Sequence, residues 1–223
     1  MESSEVIQNI YEIYERFQIP PWLQRHMITS AAVAELICDN WTGPEINKNE
    51  IISRNLIHDL GNIVKMRLDS ELDIKLAKSS GDTKGIAYWK KVKGNIIKKY
   101  GSDDSLVTKQ MTKEIPVTSK LFELLCTAEF SFNKVTKYGT WEQKICAYSD
   151  QRIGPFGVLS LKERYAEHKE RYKGTKDYES ATRDANFKAG LEIEKQILTH
   201  LKISAEDIND KAIQPYLKRF LKH

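Results

Sequence analysis

Residues 51–62 read Ile-Ile-Ser-Arg-Asn-Leu-Ile-His-Asp-Leu-Gly-Asn, an apolar run that ends in a histidine and an aspartate. Its isoleucines and leucines recur at helical spacing, so the stretch predicts a helix whose last turn carries His58 and Asp59. The apolar residues on both sides indicate that this turn is partly buried. Burying an imidazole and a carboxylate is costly unless both are paired. A divalent cation is one such partner, and a structural hydrogen bond is another.

Helical spacing extends outward from this stretch through most of the chain. Asn47 and Glu50 have capping-box spacing and open the helix. Further helices are predicted over about 2–17, 21–40, 86–100, 103–114, 118–131, 141–150, 161–172, 176–200 and 205–221. Residues 64–85 are polar and interrupted by glycine, which favours an irregular segment or a short helix and the best place for a mobile lid. No stretch alternates like a strand, so the predicted fold class is all-α.

The composition is that of an ordinary globular protein, with 40% hydrophobic and 30% charged residues in 223. We expect a single domain, with a core over about 20–172 and a helical extension over about 174–223. Lys and Arg exceed Asp and Glu by 35 − 31 = 4, a mild excess that makes a nucleic-acid partner unlikely to be the main one. The three cysteines, the lack of a signal peptide and the lack of a long apolar run predict a cytoplasmic protein with free thiols and no membrane partner. Whether it forms a homo-oligomer stays open.

Four side chains on apolar helices form a candidate metal site. His26 follows an apolar turn, and Asp150 ends the predicted helix 141–150. Together with His58 and Asp59 they make a mixed set of nitrogen and oxygen ligands. Such a set is typical of a site for Mn²⁺, Mg²⁺, Fe²⁺, Co²⁺ or Zn²⁺, and differs from a site built from cysteine thiolates. Four protein ligands would leave positions on an octahedral ion for water and substrate. The simpler interpretations are a core histidine at position 26 and an ion pair between Asp150 and Arg152.

The order of these residues resembles the HD-domain superfamily of metal-dependent phosphohydrolases, whose pattern is His, His-Asp and a distant Asp. The segment Ala147-Tyr148-Ser149-Asp150-Gln151-Arg152, followed by Ser160-Leu161-Lys162-Glu163-Arg164, is also similar to a motif of small bacterial members. The resemblance covers roughly residues 20–172. It implies an HD-domain helical bundle with extra C-terminal helices. It also implies one divalent metal ion (Mn, Mg, Fe, Co, Ni or Zn) held by His26, His58, Asp59 and Asp150.

The chain departs from the family's known branches, so the resemblance does not identify a substrate. It lacks the additional histidines of two-metal members between positions 59 and 150. Asn62 stands where nucleoside monophosphate hydrolases often have Glu, and the GYP and HDxxED motifs are absent. Asp59 would act both as metal ligand and in catalysis. Lys65 and Arg152 are candidates for holding a phosphate, and Glu129 is a candidate general base.

Three functions follow as hypotheses. The first is a metal-dependent phosphohydrolase that cleaves a phosphate ester of a small molecule, with nucleotides among the candidate substrates, by metal-activated water. The second is a catalytically silent regulatory protein that binds metal and nucleotide, an interpretation that Asn62 favours. The third is a nucleic-acid phosphodiesterase module that uses lysine-rich helix faces, which would show a steep dependence of binding on salt.

Overall fold

The computed structural model describes residues 3–126, 132–171, 173 and 181–220, and the described part of the chain is all-α. Its α-helices are α1 (Ser3–Gln8), α2 (Ile10–Arg16), α3 (Pro21–Asp39), α4 (Lys48–Ile57), α5 (Glu71–Ser79), α6 (Ile86–Tyr100), α7 (Asp104–Lys113), α8 (Ser119–Cys126), α9 (Phe132–Tyr138), α10 (Trp141–Gln151), α11 (Leu161–Arg171), α12 (Ala181–Leu198) and α13 (Gln214–Arg219). A 3₁₀ turn covers Asn62–Val64. Two isolated β-bridges are the only β-type pairings in these residues. None of the described helices combines the length and apolar content that a bilayer span requires.

Capping side chains begin several helices where the sequence predicted them. The Asn47 side chain accepts from the Glu50 backbone N–H at 3.1 Å, and Asp103 caps α7 in the same way. The Glu50 carboxylate does not complete a capping box, because it accepts from the Thr118 hydroxyl on a distant segment at 2.9 Å. The predicted helix over 118–131 is confirmed from Ser119 to Cys126. Its remaining residues lie outside the described part of the chain.

The prediction of a last helix over about 205–221 was wrong for its first half. Residues 201–213 form turns, and α13 begins only at Gln214. The Ser204 backbone N–H donates to the Asp207 carboxylate at 2.9 Å, and Asn209 accepts from two backbone N–H groups that follow it. These short polar side chains supply the hydrogen bonds that a helix would otherwise make. Helix α9 was not predicted, and in the segment 64–85 the short helix α5 formed.

In the described part of the chain, the interior consists of two hydrophobic clusters that share helix α3. Trp22, Leu23, Met27 and Ala31 belong to the first cluster, together with residues of α1, α2, α6 and α7. The next turns of α3, from Ala32 to Ile37, belong to the second cluster with α10 and α12. Helix α4 also contributes to both clusters. The two helices that carry His26 and His58 are therefore fixed by apolar packing along most of their length.

Buried hydrogen bonds lock α3 against α4. The Ser30 hydroxyl donates to the Asn55 side-chain oxygen at 2.9 Å, and both residues are fully buried. The Asn55 side-chain amide donates to the Ile51 carbonyl at 2.9 Å. Ser30 lies one turn after His26, and Asn55 lies one turn before His58. This contact fixes the relative position of the two histidines, because each helix is rigid over a single turn.

Candidate metal centre

The structure brings His26, His58, Asp59 and Asp150 together in a closed ring of contacts. The His26 Nε2 atom lies 3.5 Å from Asp59 Oδ2 and 3.1 Å from Asp150 Oδ1. The His58 Nε2 atom lies 3.6 Å and 3.3 Å from the same two oxygens. Each imidazole nitrogen thus sits between two carboxylate oxygens. His26, His58 and Asp59 also offer ligand atoms that are all within 4.8 Å of one another.

These separations match the spacing of atoms that bind one ion. With metal–ligand bonds of about 2.1 Å, neighbouring ligand atoms stand about 3.0 Å apart in an octahedron and about 3.4 Å apart in a tetrahedron. The four nitrogen–oxygen distances run from 3.1 to 3.6 Å. The side chains of His26, Asp59 and Asp150 are 20–31% exposed and that of His58 only 4%, so the cluster opens to solvent on the side away from His58. His26, His58 and Asp59 could therefore hold one divalent cation, with Asp150 close to both imidazoles but outside the group of three.

The hydrogen bond on the far side of His58 fixes which nitrogen faces the cluster. His58 Nδ1 lies 2.8 Å from the Asn55 carbonyl oxygen, and because a carbonyl only accepts, Nδ1 must be the donor. In a neutral imidazole, Nε2 then carries a lone pair that points at two carboxylate oxygens. That arrangement is repulsive unless a cation or a second proton lies between them. A backbone partner at the second ring nitrogen is also the usual support for a metal-binding histidine.

Two members of the cluster, His58 and Asp150, have pKa values that are shifted by their charged neighbours. Desolvation lowers the pKa of His58, but the negative charges of Asp59 and Asp150 outweigh it and raise the pKa above its ordinary value. Burial raises the pKa of Asp150, but the two imidazoles outweigh that effect and hold it well below its usual range. The Asp150 carboxylate thus stays ionised and attracts positive charge to the ring. A metal ion that binds there competes with protons on the imidazoles.

Asn62 and Gly61 hold the loop that presents Asp59. The Asn62 side-chain amide donates to Asp59 Oδ2. This hydrogen bond fixes the orientation of the Asp59 carboxylate. The Gly61 backbone N–H donates to the Thr108 hydroxyl at 2.9 Å. A Cβ atom at position 61 would meet the Asp104 carbonyl oxygen and the Thr108 nitrogen at 2.6 Å each. Only glycine allows α7 to pack this closely against the turn after His58-Asp59.

Lys65 lies beside the centre. Its Nζ atom is 2.7 Å from Asp104 Oδ2, and its side chain is 55% exposed. Desolvation lowers the pKa of Lys65, but the carboxylates of Asp59, Asp104 and Asp150 together raise it. The ammonium group is therefore close enough to the cluster to respond to its charge. Because a single exposed carboxylate holds it, it could turn toward a phosphate at the open side of the cluster.

Arg152 does not lie at the centre, where the sequence predicted that it would hold a phosphate. Its guanidinium is buried and donates to the carbonyl oxygens of Leu159 (2.5 Å), Ala205 (3.1 Å) and Ile208 (2.7 Å) and to the Tyr148 hydroxyl (2.6 Å). Its ion-pair partner is Glu194 at 3.9 Å. The alternative prediction was an ion pair between Asp150 and Arg152. Asp150 instead contacts the imidazoles of His26 and His58. Arg152 instead ties the end of α10 to the chain before α13.

Glu129, the predicted general base, lies outside the described residues. Asn62 and Ser30 were not predicted to support the centre, although Asn62 follows the His-Asp pair by a spacing that returns a helical turn to the same side. Ser30 had no comparable signal, because a serine inside an apolar helix is usually only a small core residue. Its role depends on Asn55, which comes from another helix.

A comparison of the chain with protein-family models, curated proteins and solved structures finds no significant match in any of the three. The resemblance to the HD-domain superfamily therefore stays a prediction.

Proposed function

We propose that this protein is a metal-dependent phosphohydrolase of the HD-domain type, which cleaves a phosphate ester of a small molecule. The observation that carries the proposal is the convergence of two imidazoles and two carboxylates, from α3, the end of α4 and α10, at separations of 3.1–3.6 Å. A structural hydrogen bond would join one such pair. Two imidazoles that each contact both carboxylates, in a cluster of which three members are partly exposed, are better explained by a shared divalent cation.

In this proposal the cation would activate the attacking water, and side chains of the protein would hold the cation and the substrate. A bound divalent cation would lower the pKa of a coordinated water and offset charge on a phosphoryl oxygen. His26, His58, Asp59 and Asp150 would hold it, with Asn62 orienting Asp59. Lys65 would contact a phosphoryl oxygen of the substrate as a point charge after leaving Asp104. The group that takes the proton from the water is not identified among the described residues.

Phosphate release from a panel of phosphomonoesters and nucleotides, with Mn²⁺ or Co²⁺ added, tests this proposal. We expect Asp59→Asn to lower turnover by more than about 100-fold, because loss of a ligand should exceed the 10–100-fold cost of losing an outer partner. Asp69→Asn is the matched control, since Asp69 is 57% exposed and pairs only with Arg67 at 3.6 Å among the contacts found for it. Equal turnover by wild type and Asp59→Asn would refute a catalytic role for the centre.

A second candidate is a regulatory protein that binds metal and nucleotide without hydrolysis. Asn62 favours it, because an amide that donates to Asp59 cannot serve as a general base as a glutamate could. This candidate predicts stoichiometric metal binding and retention of a nucleotide, with no turnover of any phosphate ester in the panel. Turnover that is lost in Asp59→Asn would exclude it.

A further inference from the structure

The side chain of Asn55 contacts all three helices that carry the candidate ligands. Asn55 lies in α4 and is fully buried. Its side-chain oxygen accepts from the Ser30 hydroxyl of α3 at 2.9 Å. Its side-chain nitrogen donates to the Ile51 carbonyl of α4 at 2.9 Å and to the Cys146 sulfur of α10 at 3.6 Å. A single amide group therefore joins α3, α4 and α10 in the interior.

The Ile51 carbonyl determines how this amide group is oriented. A carbonyl oxygen only accepts, so the amide nitrogen of Asn55 must face Ile51 and the amide oxygen faces Ser30. The Cys146 thiol binds the same carbonyl, with Sγ 3.9 Å from the Ile51 oxygen. Burial raises the pKa of the Cys146 thiol to about 12, so the thiol keeps its proton and can donate this bond. Neither an apolar side chain nor a carboxylate at position 55 could make the same set of contacts.

On α3 and α10, the contact with Asn55 lies one helical turn from a candidate ligand. Ser30 follows His26 by 30 − 26 = 4 residues, and Cys146 precedes Asp150 by 150 − 146 = 4 residues. Residues four apart lie on the same face of a helix. Because a helix is rigid over a single turn, a shift of either contact would carry the ligand with it.

On α4 the connection to the ligands is direct. The backbone carbonyl of Asn55 accepts from His58 Nδ1 at 2.8 Å. This carbonyl belongs to the last turn of α4, where carbonyl oxygens are open to side-chain donors. A change in the position of Asn55 would therefore turn the His58 ring and move Asp59, which follows it.

We infer that Asn55 is a positioning residue of the metal centre, and that its side chain holds α3, α4 and α10 where their ligands form one cluster. The inference rests on the metal centre of the proposed function and adds to it the residue that arranges the ligands. A binding site needs its groups within about 0.5 Å of the productive geometry. Apolar packing alone tolerates small shifts between helices, whereas a fully paired buried amide specifies one arrangement.

Calorimetric titration of the full chain with Mn²⁺ tests the inference on Asn55→Ala. This variant loses every side-chain contact of Asn55 but keeps the backbone carbonyl that binds His58. We expect the affinity for Mn²⁺ to fall by about 10-fold or more, the lower end of the range for outer partners of metal ligands. The urea midpoint of the metal-free variant should also fall, because buried hydrogen bonds are lost.

Tyr14→Phe is the matched control for the loss of stability. Tyr14 is buried, and its hydroxyl donates to the Leu56 carbonyl of α4 at 2.7 Å. The variant therefore removes a buried hydrogen bond from the same helix, but the partner helix is α2, which carries no candidate ligand. It should lower the urea midpoint and keep the Mn²⁺ affinity within about 3-fold, because a less stable chain that is still folded binds metal equally well.

Ser30→Ala removes only the contact with α3, and it decides the question if Asn55→Ala does not fold. It should weaken Mn²⁺ binding by about 3-fold or more. In the Asn55→Ala background it should add little, because both substitutions break the same hydrogen bond. The visible spectrum of the Co²⁺-bound protein depends on the arrangement of the ligands. It should differ from wild type in both variants but not in Tyr14→Phe.

The outcomes separate the inference from the proposed function. Mn²⁺ affinity equal to wild type in the folded Asn55 and Ser30 variants overturns the inference alone, and so does an equal loss of affinity in Tyr14→Phe. Absence of Mn²⁺ binding by wild type overturns the proposed function and the inference together. Weaker Mn²⁺ binding in Asn55→Ala, together with a wild type that hydrolyses no phosphate ester, supports the inference and overturns the proposed function.

Discussion

Helix α3 carries one ionisable side chain near each of the two hydrophobic clusters, the partly exposed His26 and the buried Glu35, and the two have different partners. Glu35, on the side of the second cluster, is 2% exposed at its side chain and pairs with Lys48 at 3.1 Å and with Arg219. His26, on the side of the first cluster, meets a second imidazole and the carboxylates of Asp59 and Asp150. At Glu35 the chain supplies the cations itself. At His26 it supplies a second imidazole and two carboxylates, all of which are electron-pair donors.

This difference separates a structural ion cluster from a candidate binding site. Lys48 and Arg219 are permanent partners, and Arg219 ties the last helix, α13, to α3. The ring of His26, His58, Asp59 and Asp150 needs positive charge from protons or from an ion, both of which exchange with solvent. We therefore expect variants of the first set to change stability alone, and variants of the second set to change metal binding.

The largest effect is expected from removing both cations at Glu35. The double variant Lys48→Met with Arg219→Met would leave a buried carboxylate without a charged partner, which costs about 3–5 kcal/mol in the free energy of unfolding. Urea denaturation of the metal-free protein measures it. Adding Glu35→Leu should restore most of the loss, because an apolar replacement of a buried ion pair is often neutral. A loss below about 1 kcal/mol in the double variant would show that Glu35 does not depend on these cations.

A smaller effect is expected from metal at the His26 end. Mn²⁺ or Zn²⁺ at 100 times its dissociation constant should stabilise the fold by about 2.7 kcal/mol, because only the folded chain brings the four ligands together. Thermal denaturation with and without a chelator measures the shift. Asp150→Asn should abolish it. The Glu35 variant Glu35→Gln is the matched control and should keep it, and a metal-dependent shift that persists in Asp150→Asn would remove Asp150 from the site.

The smallest effect is expected from the residue behind Asp59. Asn62→Ala removes the donor to Asp59 Oδ2 and should weaken Mn²⁺ binding about 10–100-fold, the usual cost of losing an outer partner of a metal ligand. Stability without metal should change by only about 1 kcal/mol. Asn62→Asp tests the same contact through charge, because it replaces the donor to Asp59 with a second negative charge beside that carboxylate. Unchanged Mn²⁺ affinity in Asn62→Ala would mean that Asp59 is held by other contacts.

The sequence predicted most of the fold because its signals are local. The apolar spacing of 21–40 and 86–100 and the cap at Asn47 depend on residues within one or two turns, and α3, α6 and α4 formed as expected. The prediction was wrong over 205–213, where polar side chains satisfy the backbone in turns. The same limit applies to Arg152, since nothing near it in sequence shows that its partners are the carbonyls of Ala205 and Ile208.

The sequence by itself determined an all-α chain with His26, His58, Asp59 and Asp150 on apolar helices, because helical periodicity and ligand chemistry are properties of the residues themselves. Only the tertiary structure decided that these four side chains face one another and that Arg152 faces elsewhere. These are contacts between residues on different helices. Such contacts depend on how the helices pack, and a pattern within one helix carries no information about its neighbour's rotation or depth.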